Sequence, residues 1–499
     1  MRNYLFIGLF SSFLVAFFAS CPGGSGGSDE VVPSFSDVTS ASGIGNVGRL
    51  GQSASWVDFD GDGWLDLITG NTDIGTSKNV FLFRNNGNGI FSDVVAGSGI
   101  EESRRLRSVS WGDFDNDGLP DLAAGTIASG APPLLYKNLG EGFFLEVSSD
   151  AGITREGGTA GHVLWVDYDG DGLLDLFQAN INSNAPSFLY RNRGDGTFED
   201  VSDDAGLGVS DVTNSAVWFD ANNDGFPDLF LANEGENRFY VNRGDGTFLD
   251  RTVQSGLGGD LLWDSVSACA GDFNNDGFLD LYVVNISSPR NALYRNNGDG
   301  TFTDITLSAG VWDVGDGRTC AWVDFDGDGL LDLFTTNHTS PSRLFRNLGD
   351  EEFEDVAVDT GIDLPIDVFS ATWGDFNRDG FMDVFLTGHL GSALMQNDGG
   401  INNFLILWLV GNGVSTNTSA IGTRVWVFDT EGFQVREVSG GRGCCEQDML
   451  PVHFGLGGER EVDVVVDWTD GSSCVFNSVN VQGGRMFFVF QDGCRLEVF

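Results

Sequence analysis

The stretch WVDFDGDGWLDL, residues 56–67, concentrates four aspartates in nine positions, at Asp58, Asp60, Asp62 and Asp66. Carboxylates that share one turn repel one another, and each pair at about 4 Å costs on the order of 4 kcal/mol at an effective dielectric constant of about 20. A turn of this composition therefore needs a compensating positive charge to stay closed.

The same pattern recurs six more times along the chain, at intervals of 51–55 residues. A second motif, of the form YRNxGDGTFxDV, keeps step with the first six aspartate loops. A period near 50 residues is typical of a repeat architecture, in which one unit alone is too small to bury its own core. The later copies begin at Asp113, Asp167, Asp220, Asp272, Asp324 and Asp375.

Each repeat unit contains four short segments with the character of β-strands. In the first unit these are SASWV, WLDLITG, NVFLFRN and IFSDVV, separated by connections rich in Gly and Asn. Four-stranded units repeated seven times predict an all-β protein with a seven-bladed β-propeller, since radial closure protects the sheet edges.

The order of the motifs predicts how the ring closes. The fourth-strand pattern first occurs at residues 35–38, before the first aspartate loop, and none follows the seventh loop. We therefore expect the segment near residue 35 to complete the last blade. A tryptophan stands two residues before six of the seven loops, and we expect these side chains to pack between blades: Trp56, Trp111, Trp165, Trp218, Trp322 and Trp373.

The aspartate loops have the composition of a calcium site. Numbered from the first Asp, positions 1, 3, 5 and 9 carry Asp, or Asn at position 3, and position 6 is always Gly. Position 4 is Gly or Asn, which tolerate positive φ, with Arg378 as the exception. Side-chain oxygens from these positions and a carbonyl from position 7 suit Ca²⁺, which takes about six to eight oxygen ligands, better than the stricter Mg²⁺.

Up to seven structural Ca²⁺ ions are therefore predicted, one in each loop. Asn at position 3 lowers the charge of a loop, so the three loops with Asn should bind somewhat more weakly. The predicted ligands are Asp58, Asp60, Asp62, Trp64 and Asp66; Asp113, Asp115, Asp117, Leu119 and Asp121; Asp167, Asp169, Asp171, Leu173 and Asp175; Asp220, Asn222, Asp224, Phe226 and Asp228; Asp272, Asn274, Asp276, Phe278 and Asp280; Asp324, Asp326, Asp328, Leu330 and Asp332; and Asp375, Asn377, Asp379, Phe381 and Asp383.

The repeat units resemble FG-GAP/VCBS repeats, the blades of integrin α-subunit propellers. The D-x-D-x-D-G-x-x-D loops of that family bind calcium on one propeller face, so the resemblance implies both the fold and the ion. It covers residues 35–399 of this chain.

The repeat stops at Asn402, and a different kind of sequence follows. Alternating runs such as RVWVF and VDVVVDW predict a small β-sandwich over residues 402–499. The segments AIG at 420–422, QVRE at 434–437 and HFGLG at 453–457 resemble the UnbV/ASPIC domain, which follows such propellers in the cartilage acidic protein family. The chain departs from that pattern at GCCEQ, residues 443–447, where a turn rich in Ser and Tyr is usual.

The N-terminus is predicted to direct export. Residues 1–21 resemble a signal peptide, and FASC at 18–21 resembles a bacterial lipobox, which implies a lipid on Cys21; residues 22–34 are a Gly/Ser-rich linker. An ordinary secretory signal is the alternative. We expect a lipoprotein of the outer membrane or cell surface, or a periplasmic protein, that touches the membrane only through its lipid; secretion is the alternative.

Export permits disulfides, and four cysteines crowd into the last 56 residues. One bridge is expected there, with its connectivity open among Cys444, Cys445, Cys474 and Cys494.

The net charge of the chain and its lack of known catalytic motifs limit the functions that the sequence supports. The chain has 26 basic and 73 acidic residues, a formal net charge of −47, which disfavours nucleic acid as a partner. No nucleophile elbow, P-loop or dinucleotide fingerprint occurs, so we expect a protein that is not an enzyme. His338 and His389 occupy the same place in units six and seven; two surface-loop histidines are the favoured interpretation, and a paired site between adjacent blades is the alternative.

A ligand face is predicted opposite the aspartate loops, where the connections vary most. The expected function is surface binding or adhesion to an extracellular protein or polysaccharide. The alternatives are a lectin with sugar pockets between blades, and a propeller polysaccharide lyase or hydrolase. The arginines predicted on that face are Arg104, Arg105, Arg107, Arg155, Arg290, Arg318 and Arg343.

Overall fold

A computed structural model describes residues 32–45, 47, 50–73, 78–101, 103–128, 130–154, 159–181, 186–208, 210–259, 263–286, 290–364, 367–430, 432–443 and 445–499. The predicted signal peptide with Cys21 and most of the predicted linker lie outside these residues, as do Arg155 and Cys444. None of the helices within the described ranges has the length and apolar run that a membrane crossing requires.

Seven four-stranded antiparallel sheets follow one another along the described chain, and each corresponds to one repeat unit. Blade 1 is β2 (Gly51–Val57), β3 (Asp66–Asn71), β4 (Val80–Asn85) and β5 (Phe91–Asp93). Blade 2 is β6 (Leu106–Gly112), β7 (Asp121–Thr126), β8 (Leu134–Asn138) and β9 (Phe144–Glu146). Blade 3 is β10 (Ala160–Val166), β11 (Asp175–Asn180), β12 (Phe188–Asn192) and β13 (Phe198–Asp200).

The next three blades repeat this order. Blade 4 is β14 (Thr213–Phe219), β15 (Asp228–Asn233), β16 (Arg238–Asn242) and β17 (Phe248–Asp250). Blade 5 is β18 (Asp264–Gly271), β19 (Asp280–Ile286), β20 (Ala292–Asn296) and β21 (Phe302–Asp304). Blade 6 is β22 (Gly317–Val323), β23 (Asp332–Asn337), β24 (Arg343–Asn347) and β25 (Phe353–Asp355).

Blade 7 closes the ring with strands from both ends of the propeller. It contains β26 (Val368–Gly374), β27 (Asp383–Gly388) and β28 (Ser392–Asn397), and β1 (Phe35–Asp37) is its outer strand. β1 pairs antiparallel with β28, with Phe35 opposite Asn397, which confirms the predicted closure. Single-turn helices follow three of the outer strands: α1 (Thr39–Ser42), α2 (Thr252–Ser255) and α3 (Ala357–Thr360).

The tryptophans before the loops pack between blades, as predicted. The Nε1 atom of Trp56 donates to the Thr372 carbonyl of blade 7 at 3.0 Å, and its ring stacks on Phe376 with centroids 6.2 Å apart. Trp165 likewise donates to the Ser110 carbonyl of blade 2 at 3.2 Å. These buried rings contribute to the contacts that join neighbouring blades.

Two disulfides lie wholly within the described chain. Cys474 and Cys494 form the bridge expected near the C-terminus. Cys269 and Cys320 form a second, unexpected bridge between β18 and β22, which joins blades 5 and 6. Their separation of 51 residues is one short of the 52 residues between the loops of these two units, and this near-match to the repeat period is the signal that sequence reasoning could have used. Cys445 is also disulfide-bonded. Disulfides of this kind indicate an exported protein.

The residues after the propeller form the predicted sandwich of two four-stranded sheets. In the first sheet β29 (Phe404–Val410) pairs antiparallel with β32 (Val452–Gly455) and parallel with β35 (Arg485–Phe490), and β36 (Arg495–Val498) forms the edge. The second sheet has the order β31 (Phe433–Glu437), β30 (Arg424–Phe428), β33 (Glu461–Asp467), β34 (Ser473–Asn480). Alternate residues such as Val425, Val427, Val464 and Val466 are fully buried, as a sandwich core requires.

Candidate metal centres in the aspartate loops

Each aspartate loop joins the first and second strands of a blade and curls around its own carboxylates. In loop 3 the backbone N–H of Gly172 donates to Asp167 Oδ2 at 3.1 Å, and the N–H of Leu173 donates to Asp171 Oδ1 at 3.0 Å. The bond from the position 6 glycine recurs in all seven loops at 2.6–3.1 Å. The bond from position 7 recurs at 2.8–3.0 Å, so each loop has the same geometry.

The backbone at position 4 is left-handed in every loop, with φ of 54–74°. Arg378, the exception in composition, has φ 60° and stacks on the Trp64 ring with its guanidinium carbon 3.8 Å from the centroid. The expected turn is therefore formed even where the residue is neither Gly nor Asn.

The position 9 aspartate is fully buried in all seven blades and anchors the third strand. Its Oδ1 accepts the backbone N–H of an asparagine that ends this strand, at 2.7–2.8 Å. The side-chain amide of that asparagine donates to the position 2 carbonyl of the preceding blade at 2.7–2.9 Å. Sequence reasoning missed these residues, although the motif repeats them: Asn85, Asn138, Asn192, Asn242, Asn296, Asn347 and Asn397.

Burial makes the ionised loops costly without a cation. Loss of solvation raises the pKa of Asp66 and of Asp121 to about 9, with smaller contributions from neighbouring carboxylates. At position 1, burial raises the pKa of Asp167 and of Asp375 to about 7. Carboxyl groups that resist ionisation at neutral pH are what a divalent cation would stabilise in the charged form.

Buried carboxylate oxygens without hydrogen bonds show that the loops fit such an ion. Among the described residues, the Oδ1 atoms of Asp60, Asp115 and Asp169 at position 3 are buried and make no hydrogen bond. The position 9 residue Asp383 has the same deficit at Oδ2. Buried acceptors left without a donor are costly, and an oxygen-preferring cation would satisfy them.

The structure brings predicted ligands together in space. Carboxylate oxygens from positions 1, 3 and 5 of loop 1, and from positions 1, 3 and 9 of loops 2, 3 and 6, lie within 4.8 Å of one another. The position 7 residues, predicted as carbonyl ligands, lie in the same turns with their N–H groups bound to position 5. The position 3 asparagines of loops 4, 5 and 7 donate to the position 5 carboxylate at 2.8–3.0 Å.

A basic residue on the third strand pairs with position 3 wherever that position is Asp. Arg84 lies 2.7 Å from Asp60, Arg191 lies 2.8 Å from Asp169, and Lys137 pairs with Asp115. Arg346 pairs with Asp326 at 2.6 Å in the same way. These basic side chains offset the extra carboxylate of the loops with Asp at position 3. The net local charge of those loops is therefore closer to that of the loops with Asn than the loop composition alone predicts.

The C-terminal sandwich covers the face that carries the aspartate loops. The N–H of Gly455 donates to Asp324 Oδ2 at 2.9 Å, and the His453 Nε2 atom lies 2.9 Å from the Gly380 carbonyl. Gly380 also lets Phe404 of the sandwich approach the loop, since a Cβ at this position would lie 1.8 Å from the Phe404 ring. The loops are therefore a packing surface as well as candidate ion sites.

A loop of the sandwich, residues 439–443 and 445–449, enters the central channel of the propeller from the same side. Gln447 accepts from the Trp111 N–H at 2.7 Å and donates to the Trp111 carbonyl at 3.0 Å. Arg442 donates to the Ala371 carbonyl at 3.0 Å and lies 3.3 Å from the buried Glu446. The loop contacts one inner strand in each of the seven blades, at Ser55, Trp111, Trp165, Ser215, Ala268, Thr319 and Ala371.

The opposite face is less basic than the sequence predicted. Arg104 pairs with Glu101 at 2.7 Å, Arg343 pairs with Asp355 at 2.6 Å, and Arg290 pairs with Asp304. Arg105 donates to the Thr72 carbonyl at 2.9 Å. Arg107 and Arg318 instead line the mouth of the channel, together with Gln52, Asn214, Val266 and Phe369.

His338 and His389 lie together on the face opposite the aspartate loops. His338 Nδ1 is 2.5 Å from one oxygen of Asp367, and His389 Nδ1 is 2.7 Å from the other. Both are partly exposed residues on loops, as favoured, and the two loops also converge between blades 6 and 7, which is the geometry that the paired alternative requires. His162 is buried and His453 is partly buried elsewhere, and loss of solvation lowers the pKa of each, to about 3 and about 4.

The fold and its loops define a propeller protein built from aspartate-loop repeats. The sequence matches the FG-GAP-like repeat family at residues 58–124, 167–231, 220–283, 272–335 and 324–386, and the ASPIC and UnbV family at 413–486. These repeats cover more than half of the chain, so the chain belongs to the FG-GAP-like repeat proteins and carries a C-terminal ASPIC/UnbV domain.

Curated relatives share both parts. Cartilage acidic protein 1 of Homo sapiens is 27% identical over 467 residues, which is 87% of this chain and 62% of the relative. Its counterpart in Mus musculus is 26% identical over 446 residues, covering 83% and 60%. The chain thus spans about three-fifths of the length of these relatives. Among solved structures, Saccharomyces cerevisiae Sqt1 aligns with 74% of this chain and 99% of its own, at a TM-score of 0.45 and 10% identity.

Proposed function

We propose that the protein is an exported, calcium-stabilised surface binding and adhesion protein. It recognises an extracellular protein or polysaccharide through the propeller face opposite the aspartate loops. The observation that carries this proposal is the position of the C-terminal sandwich, which packs on the aspartate-loop face and fills the channel from that side. Among the described residues, the opposite face carries no part of the sandwich, and loops on a rigid scaffold commonly bind ligands.

Calcium in this proposal is structural. Positions 1, 3, 5 and 9 of each loop would hold it with carboxylate or amide oxygens, and position 7 would add a carbonyl. The ion supplies positive charge that lets these buried groups ionise and lets the blades and the sandwich pack around them. Extracellular calcium modules bind at about 10⁻⁴–10⁻³ M, which suits a protein outside the cell.

An exposed aromatic side chain marks the proposed ligand face. Trp312 lies between blades 5 and 6 with 46% of its surface exposed, and the Arg290 guanidinium carbon lies 5.7 Å from the centroid of its ring. The centroid of the Trp263 ring lies at the same distance from that guanidinium carbon. Tryptophan and arginine are the residues that most often dominate binding energy at interfaces.

The test is binding of the purified chain, in calcium, to a glycan array and to washed outer-membrane and extracellular-matrix protein. Trp312→Ala should weaken binding by about tenfold or more. Ile401→Ala, at a fully exposed residue between propeller and sandwich, is the matched control and should bind normally. Binding that survives Trp312→Ala and Arg104→Glu unchanged, yet is lost on altering the sandwich surface, would refute the assignment of the face.

The same experiment separates the alternatives. The lectin alternative predicts binding to defined sugars on the array in pockets between blades, where the described tryptophans already pack. The lyase or hydrolase alternative predicts cleavage of a bound polysaccharide that is lost in His338→Gln and His389→Gln variants. If the polysaccharide binds and is not cleaved, the result supports the proposal that the protein is not an enzyme.

The N-terminal sequence supports a proposal for export and anchoring. We propose that Cys21 is lipidated and holds the protein at the outer membrane or cell surface, or in the periplasm. Metabolic labelling with a fatty acid should mark the wild-type protein and not Cys21→Ala. Unlabelled wild-type protein in the culture medium would favour plain secretion.

A further inference from the structure

Three side chains that commonly bind transition metals converge on the face opposite the aspartate loops. His338 follows β23 in blade 6, whereas Asp367 precedes β26 and His389 follows β27 in blade 7. Their candidate ligand atoms all lie within 4.8 Å of one another. We propose that these residues form a site for a divalent transition-metal ion of the Zn²⁺ type, distinct from the calcium loops.

The backbone places this site at a seam between two blades. In blade 7 the N–H of His389 donates to the Asp367 carbonyl at 3.1 Å, and in blade 6 the N–H of His338 donates to the Asp316 carbonyl at 2.8 Å. Asp316 and Asp367 are thus equivalent positions of neighbouring blades. The His338 side chain does not turn to its own Asp316 but reaches Asp367 in the next blade. A metal ion would therefore connect blade 6 to the blade that closes the ring.

Only blades 6 and 7 carry a histidine at this position of the repeat. The positions equivalent to the two histidines in blades 1–5 are Thr72, Ile127, Ile181, Glu234 and Ile286, and none of these is an imidazole. The chain has only four histidines, and two of them lie against the same carboxylate, that of Asp367.

The distances allow an ion after a small movement. The two Nδ1–oxygen separations are 2.5 and 2.7 Å, and the ring centroids are 5.5 Å apart. Around Zn²⁺ with bonds of about 2.0–2.1 Å, tetrahedral ligand atoms lie about 3.3 Å apart. The required shift is below about 1 Å, which side-chain rotation supplies because all three residues are only partly buried.

The types of ligand atom indicate which metal ions the site would bind. Two imidazole nitrogens and one carboxylate suit Zn²⁺ and similar ions, whereas Ca²⁺ prefers oxygen ligands alone. Three protein ligands leave a fourth position for water or for an oxygen of a bound molecule. Phe369 packs beside His389, with ring centroids 4.3 Å apart, and carries the Arg318 guanidinium on its ring at 4.6 Å. The site therefore adjoins the mouth of the channel.

The test is a Zn²⁺ titration of the metal-stripped full chain by calorimetry, in saturating Ca²⁺ so that the aspartate loops are occupied. Co²⁺ serves as a spectroscopic probe of the same site. Wild-type protein should bind one equivalent of Zn²⁺. His389→Gln and Asp367→Asn should weaken that binding by more than about 100-fold, because each removes a ligand rather than a supporting group.

Asp316→Asn is the matched control, since it alters the equivalent residue of blade 6 without touching either imidazole–carboxylate contact. It should bind Zn²⁺ like the wild type, and calcium-dependent melting should confirm that each variant folds. His338→Gln supplies a second ligand variant if Asp367→Asn does not fold. The proposal is overturned if the wild type binds no Zn²⁺ in excess Ca²⁺, or if the ligand variants bind as tightly as Asp316→Asn.

Discussion

The position 9 aspartate of each loop combines two roles that depend on its charge. It accepts the backbone hydrogen bond that fixes the third strand, and it faces the carboxylates of its own loop. Burial raises its pKa, to about 9 at Asp66 and Asp121 and to about 8 at Asp228. Without a cation, a native loop therefore retains protons that the unfolded chain releases near pH 4.

This retention predicts the pH dependence of the metal-stripped protein. A carboxyl group whose native pKa lies above its unfolded value stabilises the native state least at high pH. The free energy of unfolding should therefore fall as the pH rises from about 5 to about 9. Saturating Ca²⁺ should remove most of this slope, because it holds the carboxylates ionised. Urea unfolding across this range measures both slopes, and equal stability at both ends without calcium would contradict the account.

The asparagine that ends each third strand links neighbouring blades, so its loss should destabilise the ring. The Asn296 amide donates to the Ala221 carbonyl of blade 4 at 2.8 Å and to the Leu279 carbonyl at 3.1 Å. Asn296→Ala leaves both acceptors buried and unpaired, which should cost about 2–4 kcal/mol. The adjacent Asn297→Ala removes only exposed bonds with Thr301 and Thr303 and should change stability by less than about 0.5 kcal/mol. Denaturant unfolding of the two variants gives the comparison.

At the scale of elements, periodicity explains what the sequence could predict. The four strands of each blade, the closing strand β1 and the left-handed loop backbone all follow from patterns repeated about every 50 residues. The sandwich loop of residues 439–443 and 445–449 has no such pattern, because its partners are mainly backbone groups of strands far away in sequence. Two features that sequence reasoning missed did leave a signal. The spacing of Cys269 and Cys320 is close to the repeat period, and a basic residue on the third strand accompanies Asp at position 3.

The channel-filling loop gives a prediction at this scale. Arg442 is almost fully buried, pairs with Asp448 at 2.6 Å, and holds carbonyl groups of blades 6 and 7. Arg442→Met leaves Glu446 and Asp448 without their cation and should destabilise the protein by about 3–5 kcal/mol. Arg495→Met breaks an exposed pair with Glu497 and should cost at most about 1 kcal/mol. Thermal unfolding of both variants checks the difference, and equal effects would show that the loop is not a structural anchor.

At the scale of the whole molecule, the propeller is closed in three ways. The β1–β28 pairing joins its ends, the asparagine bonds join each blade to the one before, and the sandwich loop contacts all seven blades from the channel. The asparagine bonds end on carbonyl groups of the aspartate loops, and the sandwich packs on the same loops. A ligand that neutralises the loops should therefore stabilise propeller and sandwich together, and leave the opposite face free to bind.

Calorimetric melting of the metal-stripped full chain, before and after Ca²⁺ is returned, tests this central claim most directly. At about 10 mM Ca²⁺ and a dissociation constant of about 10⁻⁴ M, each occupied loop adds about 2.7 kcal/mol. Several loops together should raise Tm by more than about 10 °C, and the same concentration of Mg²⁺ should raise it less. An unchanged Tm on return of Ca²⁺ would contradict the account.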